Sequence, residues 1–174
     1  MQRYTKPAML LHWLTALLII AAFFLGLTMT EIHGITPTKL KYYSWHKWLG
    51  VTVLLVACVR ILWRKANTPP PPPAGMPAWQ IKAADGAHHL LYLLIFAVPI
   101  SGYLYSCAAG VPVVYLGLVQ LPSLIAPNPE LKPVLKSVHY VLTMTMAGVV
   151  VLHALAALKH HFIDRDDVLK RMLP

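Results

Sequence analysis

Apolar residues gather along this chain into four long runs, at about Ala8 to Met29, Tyr43 to Trp63, Ala87 to Ala109 and Val134 to Phe162. Each reaches the roughly 20 residues that a helix needs to cross a bilayer core, so the pattern predicts four transmembrane helices. The first run is too long, and too weakly charged at its start, for a cleaved secretory signal, and it reads as a retained span. Between the second and third runs Thr68 is followed by Pro69 to Pro73. The connector over about 68–77 therefore cannot continue a helix and favours a stiff, extended path. The loop from Gly110 to Pro133 is rich in proline and glycine, and its Val113 to Val119 piece reads as a short segment at the membrane interface. Pro99 predicts a kink in the third helix, tolerable where neighbouring helices satisfy the freed carbonyl. No internal repeat is found.

Composition narrows the class. The chain has 174 residues, 57% of them hydrophobic and 12% charged, where globular domains carry roughly 45–50% apolar residues. The expected fold is an all-α membrane protein: one domain over 1–174, a bundle of four transmembrane helices with no room for a separate catalytic domain. Fifteen Lys and Arg stand against six Asp and Glu, but these charges sit between apolar runs and read as topology signals, not as a nucleic-acid surface. Arg3, Lys6, Arg60, Arg64, Lys65, Lys82, Lys159, Arg165, Lys170 and Arg171 fall on one side of the bundle; Lys39, Lys41, Lys47, Lys132 and Lys136 fall on the other. The positive-inside rule then places both termini in the cytoplasm of a multi-pass protein. Cys58 and Cys107 are the only cysteines. They supply neither a disulfide framework nor a thiolate metal cage, and no Cys-x-x-Cys-His motif for covalent haem attachment occurs.

Nine histidines remain, and an ionisable side chain inside a span is a candidate functional group. His139 and His153 are fourteen residues apart on the fourth helix, about 21 Å in depth and within about 40° of one face. The first helix runs opposite to the fourth, so His12 falls at the level of His153 and His46 at the level of His139. Two His pairs on facing helices, without carboxylates or thiolates beside them, suit two b-type haems with imidazole on both axial positions. Arg60 lies fourteen residues after His46 and reaches the inner level. It either pairs with a haem propionate or snorkels to the cytoplasmic headgroups. His88 competes with His12 for the inner position, and His160 and His161 lie at the membrane edge. Trp45, Trp48 and Trp63 bracket the second span as an aromatic belt does.

These residues together resemble the bacterial cytochrome b561 family of small four-helix dihaem proteins. The matching pieces are His12-Trp13-Leu14, His46, Thr68-Pro69-Pro70, His88 with Leu91-Tyr92-Leu93-Leu94, Pro99 to Gly102, Leu135-Lys136 before His139, and His153-Ala154. The closing stretch, from His160-His161 through Asp166 to Leu169-Lys170-Arg171-Met172-Leu173-Pro174, completes them. The resemblance runs nearly end to end and is greatest to members that oxidise superoxide and reduce ubiquinone. It implies His12, His46, His139 and His153 as ligands of two haems b, the bacterial inner membrane as location, and lipid, superoxide and ubiquinone as partners, with no obligate protein partner. Two departures stand out: Tyr140 where an acidic residue is expected after His139, and an additional His89 beside His88.

On that resemblance, Lys39, Lys41 and Lys47, at the N-terminal end of the second helix where the macrodipole is positive, form a basic outer mouth that attracts superoxide. Lysines there equally serve as headgroup anchors. His160, one heptad after His153, is the expected quinone residue on the cytoplasmic side, with Arg60 and Trp13 as further candidates. Two other functions fit the same residues: an anchor subunit passing electrons between a partner dehydrogenase or hydrogenase and the quinone pool, and a haem-free transporter or assembly protein.

Overall fold

Threonine and proline start the first two helices. Thr5 accepts a hydrogen bond from Ala8 N, and Thr36 accepts one from Lys39 N at 3.1 Å, with Pro7 and Pro37 in the opening turns where no N–H is needed. In the computed structural model, which describes residues 2–73 and 75–173, helix α1 spans Lys6–Glu31, α2 Pro37–Ala66, α3 Ala78–Ala108 and α4 Leu131–Phe162. Met1, position 74 of the proline-rich connector and Pro174 of the closing stretch lie outside the described residues. Helix α3 begins nine residues before the apolar run, because Pro77 sets its first turn and Gln80, Lys82 and Asp85 continue it as a polar extension.

Of the four expected spans, α1, α3 and α4 are long and apolar enough to cross a membrane. Helix α2 is of similar length but differs in composition: its first half carries Lys39, Lys41, Ser44, His46 and Lys47, and its second half Arg60, Arg64 and Lys65. Helix α1 packs on α2, α2 on α3, and α3 on α4; along α2, Lys39, His46, Lys47 and Arg60 are half-buried, while Lys41, Ser44, Arg64 and Lys65 are exposed. The outer helices instead present Leu17, Phe24, Leu152 and Leu155, all more than half exposed. In water that exposure would be costly; in lipid it is the expected exterior, because tails are as apolar as leucine.

The buried centre is small. Val53 and Ala57 of α2, Leu94 and Ile95 of α3 and Met146 of α4 form it, with Leu18, Phe96 and Leu142 packed around. Helix association at this depth rests on van der Waals contact, since lipid removes the hydrophobic driving force between helices.

The expected interfacial segment is a two-stranded antiparallel hairpin, β1 (Val114–Tyr115) and β2 (Val119–Gln120), with Val114 opposite Gln120. Leu116 and Gly117 take φ of 54° and 73°, the left-handed turn that closes it. It packs on α2, where Trp48 Nε1 donates to the Val114 carbonyl at 2.6 Å and Thr52 Oγ1 lies 3.0 Å from the Tyr115 hydroxyl. At the opposite end the closing stretch folds back. Arg171 donates to the Pro71 carbonyl at 2.6 Å, Trp13 Nε1 to the Met172 carbonyl at 2.8 Å, and Tyr4 N to the Arg171 carbonyl at 3.2 Å. The N-terminal segment, the connector and the C-terminal turn thus share one end of the bundle.

Candidate functional site

The four histidines selected by depth meet in two pairs. The ring centres of His46 and His139 are 6.2 Å apart, and those of His12 and His153 are also 6.2 Å apart. An imidazole nitrogen bonds a metal at about 2 Å. Its ring centre is then roughly 3 Å from the metal, so two rings on opposite sides of one ion stand roughly 6 Å apart. Both pairs fit an iron between them.

The outer pair is prepared in detail. His46 Nδ1 lies 3.0 Å from the Ala22 carbonyl of α1, and His139 Nδ1 lies 3.0 Å from the Val98 carbonyl of α3. A carbonyl only accepts, so each neutral ring carries its proton on Nδ1 and leaves the Nε2 lone pair for a metal. Each ring also lies over a glycine four residues beyond that carbonyl. A Cβ on Gly26 would stand 3.1 Å from His46 Cε1, and one on Gly102 would stand 2.9 Å from His139 Cε1. Helical residues four apart share a face. One face of α1 (Ala22, Gly26) and one of α3 (Val98, Gly102) therefore act as matching receptors for the two rings. The Val98 carbonyl accepts from both Ser101 Oγ, at 2.8 Å, and His139.

The inner pair is arranged differently. His12 Nδ1 lies 2.9 Å from Arg60 Nη2, and a guanidinium only donates. His12 Nδ1 is therefore the acceptor, and Nε2 carries the proton in this arrangement. His88 approaches the same partner, its ring centre 5.5 Å from that of His153. His89 is separate: it is exposed and bonded to the Asp85 carbonyl of its own helix.

Below the inner pair, Arg60, Arg64 and Arg3 line a cavity of about 450 Å³ with Tyr92, Trp63 and Thr5. Both guanidinium groups of α2 sit over the Tyr92 ring, at 5.3 and 5.7 Å. Among the described residues the lining contains no carboxylate, which suits it to an anion such as a propionate.

The three expected quinone residues do not converge. Arg60 lines this cavity, His160 lines a second one of about 240 Å³ beneath the connector, and the Trp13 N–H is committed to Met172. At the outer end, Lys39 Nζ donates to the Ile32 carbonyl at 2.6 Å, Lys47 Nζ lies 3.4 Å from the Pro112 carbonyl, and Lys41 sits 4.7 Å from the centre of the Trp45 ring. These amines are held locally, and no carboxylate pairs with them among the described residues. The sequence reading assigned no role to Ala22, Gly26, Ser101 or Gly102; Ser101 and Gly102 lie in the Pro99 to Gly102 piece of the resemblance, and all four are small residues at the depth of a histidine on a neighbouring helix.

Residues 3–174 match the family model described as prokaryotic cytochrome b561. Cytochrome b561 homolog 2 of Escherichia coli (strain K12) is 37% identical over 173 residues, covering 99% of this chain and 92% of that protein. Cytochrome b561 homolog 1 of the same organism is 33% identical, over 100% of this chain and 98% of that protein. The probable superoxide oxidase CybB of Yersinia pestis is 33% identical, over 99% and 97%.

Proposed function

The chain belongs to the prokaryotic cytochrome b561 family of membrane electron-transfer proteins, and from that premise we propose that it oxidises superoxide at one face of the bacterial inner membrane and reduces ubiquinone at the other. The observation that carries the reading is the repeated pairing, two sets of imidazoles with ring centres 6.2 Å apart at separate depths. The family implies b-type haem; two such groups, held by His46 with His139 and by His12 with His153, would supply one-electron chemistry along the membrane normal. Two superoxide anions each give up one electron and become dioxygen; one quinone takes both electrons and two protons and becomes quinol.

The residues divide that work by side. Lys39, Lys41 and Lys47 surround the start of α2, and their charge, added to the helix macrodipole, draws a small anion toward the outer pair. Ala22 and Val98 fix the outer rings in the ligating tautomer, so little reorganisation is needed there. On the inner side a haem propionate would offer Arg60 a charged acceptor in place of the neutral His12 nitrogen, a stronger contact that would leave His12 free to ligate. His160 serves the quinone, with both termini cytoplasmic so that its protons come from that side. The relative named probable superoxide oxidase supports this choice of donor.

Stopped-flow absorbance tests the reading. Purified, detergent-solubilised, oxidised protein is mixed with superoxide, with and without a short-chain ubiquinone. Fast haem reduction followed by quinone-dependent reoxidation is expected. A dihaem spectrum that ignores superoxide would replace this function with transfer from a protein donor, and a colourless protein would remove the ligand assignment.

A further inference from the structure

Half of the six carboxylates in this strongly basic chain, Asp164, Asp166 and Asp167, fall in four residues just after α4. Two of them converge on His160. Its Nδ1 lies 2.6 Å from Asp166 Oδ2 and 3.3 Å from Asp164 Oδ2. Asp164 is otherwise engaged, since Lys159 Nζ lies 2.6 and 2.8 Å from its two oxygens. Asp166 is pinned in place: its Oδ1 accepts from Val168 N at 3.0 Å, and its own N–H donates to the His160 carbonyl at 3.1 Å. The chain reaches this position by taking Arg165 to a φ of 54°, a left-handed conformation that a residue with a side chain adopts only when its surroundings impose it.

His160, Asp164 and Asp166 line the cavity of about 240 Å³ whose other wall is the connector and the start of α3, Pro73, Gly75, Met76, Pro77 and Gln80. Among the described residues that wall carries no charge; Asp166, and Asp164 with Lys159 bound to it, are the charged groups paired at His160. A carboxylate fixed on Nδ1 leaves Nε2 as the atom that exchanges a proton, and holds the ring in that tautomer through each cycle.

We propose that this cavity is the proton inlet for quinone reduction, with Asp166 as the positioning residue that keeps His160 Nδ1 protonated while Nε2 passes protons from cavity water to the quinone oxygen. The inference rests on the quinone reading above and adds to it a route for protons. For each proton passed, the N–H bond at His160 Nε2 breaks as the O–H bond on the quinone forms. Water then returns a proton to Nε2, and the Nδ1 proton stays on the ring. Two passages match the two electrons delivered.

The test separates proton transfer from electron transfer. Holoprotein in detergent is reduced with a limiting amount of dithionite and mixed either with a short-chain ubiquinone or with ferricyanide, which takes electrons without protons. In Asp166→Asn the α-bands and the ferricyanide rate stay as in the unmodified protein, while reoxidation by quinone slows about 10- to 100-fold, less than the roughly 10²–10⁴-fold worth of a positioned proton donor because His160 itself remains. Asp166→Glu, which keeps a carboxylate, recovers most of that rate. An unchanged quinone rate in Asp166→Asn overturns the proposal, and so does equal slowing with both acceptors, which marks a general disturbance. If the unmodified protein is reoxidised by ferricyanide but not by quinone, the quinone reading itself fails, and the inlet falls with it.

Discussion

Gly102 is the residue on which the outer site is most sharply tested, because its missing side chain is where the His139 ring lies. A Cβ added there would stand 2.9 Å from His139 Cε1, 3.1 Å from Nδ1 and 3.4 Å from Nε2, while carbon atoms rest at about 3.5–4.0 Å. The ring must retreat by about 0.6–1.1 Å. Its Nδ1 now sits 3.0 Å from the Val98 carbonyl, so a retreat of that size stretches the contact to the edge of hydrogen bonding or past it. Overpacking of this kind costs about 1–3 kcal/mol. Loss of the contact that orients a ligand imidazole costs about 10- to 100-fold in affinity, or about 1.4–2.8 kcal/mol. Gly102→Ala should therefore weaken the outer haem by at least about tenfold and leave the inner one in place. Haem-to-protein ratio and the reduced-minus-oxidised α-band, followed as the detergent-solubilised protein is diluted, measure this. Gly148→Ala is the control, since a Cβ there meets nothing within 4 Å and alanine is the better helix former. Two haems retained with an unchanged spectrum in Gly102→Ala would refute the seating argument. Equal loss in the Gly148 variant would show that the effect is not local.

Four further outcomes are expected. Replacing His46 or His139 with Ala removes one haem and spares the other, read from haem content; simultaneous loss of both would contradict two separate levels. Changing Lys39, Lys41 and Lys47 together to Gln slows superoxide oxidation and flattens its dependence on salt, and stopped-flow rates at two ionic strengths decide it. Arg60→Gln weakens the inner haem selectively, since Gln offers a propionate no charge, and a redox titration should show only one of two components altered. The Arg171 guanidinium, bonded to Asp167 at 2.8 Å, holds that carboxyl below its ordinary value. The stability this contact gives is present above about pH 4, the unfolded carboxyl's range, and is lost as pH falls through the lower folded value. Limited proteolysis of the C-terminal turn should accelerate only in that acid window.

What the sequence discloses, and what it withholds, follows from the range over which each feature acts. Long apolar runs declare α1, α3 and α4 because lipid contact constrains nearly every outward position. Helix α2 declares itself less clearly because Lys39, Lys41, Ser44, His46, Lys47, Arg60, Arg64 and Lys65 interrupt its apolar run. Histidine depth is legible from helical rise alone, and it brought His12 opposite His153 and His46 opposite His139 without any knowledge of side-chain packing. Tautomer is not legible, because it depends on what another helix offers. Ala22 and Val98 present carbonyls to the outer rings, whereas Arg60 presents a donor to His12, and nothing near His12 in the chain signals that contrast. The His160–Asp166 contact was within reach: the two are six residues apart across a helix end, but only the left-handed turn at Arg165 carries the carboxylate back to the ring. The asymmetry between the levels carries its own meaning. The outer rings leave their Nε2 lone pairs free, whereas His12 accepts from Arg60 at Nδ1; a haem propionate bound in the cavity beside Arg60 would offer that guanidinium a charged acceptor in place of a neutral one and would leave His12 available as a ligand.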